Sequence, residues 1–406
     1  MALSVRTLLG ATALWAAASV AQAQTLTLDA ALQTAFANNP ELAAAQWEIE
    51  IAQGGRQQAG LIPNPVVSWD AEDTRRDSRT TTVKLSQTLE LGGKRGARID
   101  VATRAQDAAA LTLEQRRNTL RAEVIDNYYG ALRAQERLDL AQRSMTVAER
   151  GLAVANGRVT AGKTSPVEAT RAQVQLSEIR LELNRARIGL TDAYRRLAAS
   201  TGSASPDFQA VAAQGPSTPP VPPATQLLAR LEQTAELRLA ELQILQNEAS
   251  VGLEKAQRVP DLDVSIGSQY DASVRERVNL VGVSMPIPLF NRNQGNVLAA
   301  TRRADQARDL RNAAELRLRT ETRQALDLWQ TANAEVQAFN QQILPAAQDA
   351  VNSATRGFEM GKFGFLDVLD AQRTLIAART QYLTATALAT DAWVRIERIY
   401  GDLARF

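Results

Sequence analysis

The side chains best placed for a chemical role are a few carboxylates beside two glycine turns. Asp367 and Asp370 stand three residues apart at the start of a segment with helical periodicity. On a helix they share a face near its N-terminus, where the dipole favours negative charge. Read alone, they are two helix-start carboxylates. Glu168 holds the matching place after the first turn. The residue types that usually build a reaction centre are missing, because the chain contains no histidine and no cysteine. That removes the commonest general base, disulfides, and both imidazole and thiolate metal ligands. No nucleophile–base pair or ligand cluster can be assembled from the remainder. No catalytic residue, metal site or cofactor is expected, and an enzyme is the least favoured class.

Charge excludes a second class. The 46 basic and 44 acidic residues leave a net charge of +2, too little field to favour nucleic acid as a partner. Aromatic residues make up only 5 %, while alanine, leucine, glutamine, arginine and glutamate are plentiful, a composition of long helices and coiled coils. Residues 1–23 read as a signal peptide: Arg6, an apolar run from Leu8 to Val20, and the small-residue site Ala21-Gln22-Ala23. With no cysteine after that site, lipid attachment there is not expected. No later segment reaches the roughly 18 continuous apolar residues of a spanning helix. Any membrane crossing by the mature chain must therefore use strands.

The elements that must position the carboxylates occur in the same order twice. Pro63 precedes Pro260 by 197 residues, Leu91 precedes Leu289 by 198, and Gly162 precedes Gly361 by 199. The first repeat spans 24–201, with a helix, a strand pair over 66–91 and a helical hairpin over 94–200. A linker rich in proline, glycine, serine and threonine follows at 202–223. The second repeat spans 224–406, with a helix over 225–258, a strand pair over 262–289 and a hairpin over 293–402. Val83, Leu85, Gln87, Leu89 and Leu91 alternate with Lys84, Ser86, Thr88 and Glu90, the period of two that marks a strand. Pro286 and Pro288 fit only a strand end, since proline donates no ladder bond.

From Lys94 to about Asn156 the chain predicts one long helix. Its heptad rows are Ala131, Leu138, Met145, Leu152, Val159 and Ala134, Ala141, Ala148, Ala155. The return helix keeps Val167, Val174, Leu181 and Ile188 in register. The later rows are Trp329, Val336, Ile343, Ala350, Gly357 and Ala325, Ala332, Phe339, Ala346, with a kink expected at Pro345.

The fold class is therefore mainly α with a small β part. Four strands cannot close a barrel, and open edges facing lipid cost several kcal/mol per unpaired backbone group. Three copies would supply about twelve strands, within the outer-membrane range.

The chain resembles the TolC-like outer-membrane efflux protein family over essentially its whole mature length. The resemblance rests on the repeat order and two turn motifs. One is Arg158-Val159-Thr160-Ala161-Gly162-Lys163 with Val167-Glu168; the other is Gly361-Lys362 with Leu366-Asp367-Val368-Leu369-Asp370-Ala371-Gln372. Glu90-Leu91-Gly92-Gly93-Lys94-Arg95 and Pro288-Leu289-Phe290-Asn291-Arg292-Asn293-Gln294-Gly295 are similar to the cobalt–zinc–cadmium branch. The resemblance implies a homotrimer with a 12-stranded β-barrel in outer-membrane lipid, continued by a periplasmic α-helical barrel. It implies passive export of divalent heavy-metal cations, with an inner-membrane RND pump and a periplasmic adaptor (membrane fusion) protein as partners. Asp367, Asp370 and Glu168 would then ring the periplasmic gate. In relatives the acid at the Glu168 position pairs with a basic residue beside the second turn. Here Phe363 occupies that place, with Lys362 adjacent. Val159, Gly162, Lys163, Met360 and Gly361 would be the hairpin tips that meet the adaptor. Two alternatives are a periplasmic coiled-coil adaptor or scaffold, and a drug-exporting or type I secretion duct.

Overall fold

The computed structural model describes residues 25–213 and 220–404. The expected signal peptide and part of the linker, 214–219, lie outside the described residues.

The chain is mostly helical and its longest element dominates it. Helix α3 (Lys94–Thr160) has 67 residues and is about 100 Å long. It turns back into α4 (Pro166–Ser200), and the second hairpin is built from α7 (Gln294–Ala338), α8 (Leu344–Glu359) and α9 (Phe365–Tyr400). Helix α9 packs between α3 and the α7–α8 arm. The shorter α1 (Leu28–Asn38) and α2 (Pro40–Ala59) are separated at Asn39. Its side chain accepts from the Glu41 and Leu42 amides at 2.9 and 3.1 Å, while Pro40 occupies a position that needs no donor.

Alanine rows let the helices approach closely. Ala141, Ala148 and Ala155 of α3 are buried against Ala186, Ile179 and Ala172 of α4. The row Val167, Val174, Leu181 and Ile188 is not part of that seam. All four side chains are exposed on the opposite side of α4.

The second long helix also departs from its heptad reading. Before the break, Ala325, Ala332 and Val336 are buried; after it, Leu344, Ala347, Val351, Ala354 and Phe358 are. Each later position is displaced by one residue from the expected row of Ile343, Ala346, Ala350 and Gly357, although Gly357 is buried too. The cause is a π-helical turn at Phe339–Ile343, in which the Leu344 amide donates to the Phe339 carbonyl five residues back. Such a turn accommodates one extra residue and relieves the clash of the Pro345 ring with the preceding turn.

Residues 224–258 are not one helix. They divide into α5 (Ala224–Ala229), a short 3₁₀ turn and α6 (Ala235–Ala256). Thr234 is extended, and its hydroxyl donates to the Leu231 carbonyl at 2.7 Å. The break turns Leu227, Leu231 and Leu237 into one core with Leu318, Ile396 and Tyr400.

Six strands occur among the described residues. The short β1 (Thr25–Leu26) and β4 (Ala210–Val211) form a parallel pair. They sit beside Tyr128, whose hydroxyl donates to the Ala212 carbonyl at 2.6 Å. Gln135 brackets Val211, accepting from its amide at 2.6 Å and donating to its carbonyl at 3.1 Å. This fastening ties the linker to α3. The other four strands are β2 (Val66–Glu72), β3 (Thr80–Leu89), β5 (Leu262–Asp271) and β6 (Glu276–Ser284). They form one antiparallel sheet in the order β2-β3-β5-β6. Strand β6 stops at Ser284, before Pro286 and Pro288.

Candidate functional site: the sheet wall and the hairpin tips

The sheet separates its side chains by polarity. Val67, Leu85, Ile266 and Val281 stand opposite one another across all four strands, so they share one face. Trp69, Val83, Val264 and Val283 lie on the same face by alternation. The other face carries Asp70, Thr82 and Gln269 in one row and Ser68, Lys84 and Gly267 in the next, and these rows end in β6 on Val278 and Leu280, so this face is polar across β2, β3 and β5 and mixed in β6. Both faces and both outer edges are open in the single chain: most side chains of β2 and β6 are exposed, and neither outer edge has a strand partner. An apolar face of this size on an exported chain marks a surface for lipid or protein.

Below the sheet, two elbows redirect strands into helices. Gly92 and Gly93 both have positive φ, at 72° and 76°. A Cβ on Gly92 would lie 2.7 Å from the Val259 Cβ and 2.8 Å from the Ala256 carbonyl oxygen. Lys94 closes the elbow by pairing with Asp261 at 2.6 Å. Arg98 pairs with Glu90 in the same layer. These contacts give the Glu90–Arg95 phrase its structural role, the elbow between β3 and α3.

At the far end, both hairpins turn on a left-handed glycine. Gly162 has φ 65° and Gly361 has φ 75°, a conformation that glycine adopts without steric cost. The Gly162 amide donates to the Val159 carbonyl and the Lys163 amide to the Arg158 carbonyl, each at 2.9 Å. The second tip repeats this with Gly361 to Phe358 at 2.9 Å and Lys362 to Gly357 at 2.8 Å. Ser165 caps α4 by accepting from the Val167 amide at 3.4 Å. Asp367 accepts from the Gly364 amide at 2.9 Å. Its carboxylate therefore stabilises the start of α9, as the helix-start reading expects, and remains exposed.

The tips lie side by side. Ala155 and Ala172 of the first pack with Ala354, Phe358, Phe365, Val368 and Leu369 of the second. Gly151 leaves room for Phe365, whose ring atom Cε2 would lie 3.0 Å from a Cβ there. Phe363 folds back over Gly357, where a Cβ would overlap its ring. Lys362 and Met360 are exposed, and Lys362 makes no ion pair among the described residues. Asp370 is exposed on the same helix turn as Asp367, while Glu168 is half-buried on the first hairpin.

Arg158 is the residue that motif reading passed over. Its guanidinium lies 5.0 Å from the centre of the Phe358 ring. Its Nη1 and the Glu168 Oε2 are both buried without a hydrogen-bond partner among the described residues. Its position immediately before the tip residue Val159 was legible, but its partner Phe358 lies 200 residues away in sequence.

Between the hairpins runs a groove of about 700 Å³, lined by Glu136, Arg143, Gln348, Gln372, Arg379 and Tyr382. Burial raises the Glu136 carboxyl above the ordinary glutamate range, opposed by Arg379. Among the described residues no group of three metal-ligating side chains occurs, and no helix is long and apolar enough to cross a membrane.

The profile of the family described as "Outer membrane efflux protein" matches residues 31–203 and 229–402. The cobalt-zinc-cadmium resistance protein CzcC of Cupriavidus metallidurans is 40 % identical over 376 residues, covering 93 % of this chain and 90 % of that protein. The nickel-cobalt-cadmium resistance protein NccC of Alcaligenes xylosoxydans xylosoxydans is 28 % identical, covering 73 % of this chain and 69 % of its own length. Among solved structures, the channel CusC has the same fold, with a TM-score of 0.75 at 20 % identity, covering 93 % of this chain and 92 % of that one. That family is one of outer-membrane channels reaching into the periplasm rather than of enzymes. The chain belongs to the outer membrane efflux protein family, and within it is similar to the heavy-metal resistance proteins.

Proposed function

We propose that this chain is the outer-membrane duct of a tripartite RND-type system, exporting divalent heavy-metal cations passively from pump or periplasm to the exterior. The observation that carries the reading is the sheet: four strands, a face where Val67, Leu85, Ile266 and Val281 align, an opposite face that is polar across β2, β3 and β5, and two unpaired edges. Three copies joined edge to edge give about twelve strands, apolar toward lipid and polar toward a lumen. The exposed α4 stripe of Val167, Val174, Leu181 and Ile188 supports the same assembly, since a seam of that length needs a neighbouring helix.

In this arrangement Asp367 and Asp370 contribute about six carboxylates to the periplasmic mouth and favour cations. Glu168 with Lys362 and Phe363 completes the gate. The tips at Val159, Gly162, Lys163, Met360 and Gly361 face an adaptor protein, and the energy enters at the inner-membrane pump. The cargo is inferred from similarity to metal-resistance proteins. A deletion strain tests it. Loss of the chain should raise sensitivity to cobalt, zinc or cadmium by several-fold and leave dye and antibiotic sensitivity unchanged. The reverse pattern would replace metals with drugs as cargo.

A further inference from the structure

The sheet sorts its charges where the strands meet their turns. Glu72, Thr80, Asp271 and Glu276 stand opposite one another in the last row of the ladder, on the polar face. One row nearer the elbows, on the apolar face, stand Ala71, Thr81, Tyr270 and Arg277. Arg79 continues β3 on that same face, because its carbonyl accepts from the Ala272 amide at 3.0 Å and extends the ladder by one pair. Carboxylates thus fall on the polar side and guanidiniums on the apolar side. Other charges of the two turns are matched locally. Arg75 pairs with Asp73 at 2.7 Å, and Ser78 donates to the same carboxylate at 2.6 Å. Arg76 and Asp77 are neighbours in sequence, and Asp271 accepts from the Ser273 amide at 2.8 Å. Arg79 and Arg277 are exposed and make no ion pair among the described residues.

The height of this rim matches a membrane surface. From Arg79 to Leu89, both on the apolar face, β3 advances ten residues (89−79=10), about 33 Å. At a strand tilt of about 40° that is about 25 Å of height, the apolar band of outer-membrane strands. The long helices leave from the elbow end, and proteins of this family reach from the outer membrane into the periplasm. The arginine rim is therefore at the other end, level with the headgroups of the outer leaflet.

We propose that Arg79 and Arg277 form a binding site for the phosphate of an outer-leaflet lipid. The site rests on the reading of the apolar face as lipid-facing. Strand β5 runs between the two arginines and presents Ala272 and Tyr270 on this face. The arginines are thus about 10 Å apart across the sheet, two strand spacings, and the small Ala272 leaves room between them for a phosphate. Guanidiniums take phosphate oxygens through paired N–H donors, which a lone ammonium does not. Arg275 adds a third cation in the adjoining turn, where it has a φ of 54°. Tyr270, directly opposite Arg277, sets an amphipathic ring where headgroup meets acyl chain. The apolar residues below, such as Val83 and Val281, take the chains. A lipid therefore fits both halves of the site, the cations by its phosphate and the apolar face by its tails, whereas a free anion fits only the first.

Native mass spectrometry of the full chain in detergent tests this, with bisphosphorylated lipid A and its dephosphorylated form as the two probes. The chain should retain the phosphorylated lipid at least about tenfold more tightly. Arg79→Gln with Arg277→Gln should abolish that preference, each single change should lower it about threefold or more, and Arg76→Gln should leave it intact. Equal retention of the two lipids, or an undiminished preference in the double variant, overturns the proposal. Release of lipid A by an equal concentration of inorganic phosphate also overturns it, since the ligand is then the free ion. Flotation after dilution from detergent into phosphatidylcholine vesicles separates two kinds of failure. A chain that floats but shows no phosphate preference keeps its lipid-facing wall and loses only this site, whereas a chain that does not float overturns both.

Discussion

The Arg158 guanidinium lies 5.0 Å from the centre of the Phe358 ring, so the first hairpin tip is held to the second by a cation over an aromatic face. Exposed pairs of this kind contribute about 0.5–1 kcal/mol, and more when desolvated. Arg158 belongs to the first hairpin and Phe358 to the second, so the contact joins the two tips within one subunit. Arg158→Gln or Phe358→Leu should therefore raise resting conductance in planar bilayers. The double variant should add little to either single change. Strict additivity would show that the two side chains act independently.

The π turn makes a prediction about chain length. Removing Gln341 should straighten the helix and drive the Pro345 ring against the preceding carbonyl, destabilising the fold by about 3 kcal/mol. Removing Gln341 together with Pro345→Ala should be tolerated. The seam of Leu344, Ala347, Val351 and Phe358 would then follow Val336 in regular heptads. Thermal unfolding of the two variants checks the difference.

The first elbow separates two adjacent glycines. Gly93→Ala meets only the backbone cost of positive φ, about 1–2 kcal/mol, because no atom lies within 4 Å of its Cβ direction. Gly92→Ala adds a collision with Val259 and the Ala256 carbonyl. It should destabilise by several kcal/mol or abolish folding into the membrane. Equal yields of folded protein from both variants would contradict this geometry.

Tyr128 predicts an alkaline limit. Burial pushes its hydroxyl from 10.0 up to about 12. Below about pH 10 both folded and unfolded chains keep the proton, and the contribution is complete. As pH rises further the unfolded chain ionises first, and about 2–3 kcal/mol is lost by pH 12. Tyr128→Phe should remove that part of the alkaline slope. At neutral pH it should cost about 1–3 kcal/mol, because the Ala212 carbonyl loses its donor.

Much of this architecture was legible because turns and periods are local. Gly162, Gly361 and Pro286 each act within a few residues, and the alternation from Val83 to Leu89 needs no knowledge of partners. What could not be read depends on distant segments. The parallel β1–β4 pair is two residues long and has no period, and it exists because Gln135 and Tyr128 bracket it from α3. The π turn left Pro345 as its only trace, so the seam beyond it was misread by one residue. Val167, Val174, Leu181 and Ile188 kept a perfect heptad, yet the period does not say which neighbour it faces. At the second hairpin tip, the sequence marked Asp367 and Asp370 but could not show that Asp367 already serves the Gly364 amide.

Reversal potentials of the purified chain in planar bilayers under a salt gradient decide whether it conducts cations through a duct gated at the hairpin tips. Discrete, cation-selective channels are expected, and their selectivity and blocking by multivalent cations should fall in Asp367→Asn with Asp370→Asn. Channels of unchanged selectivity in that double variant would contradict the gate, and no channel at all would contradict the duct.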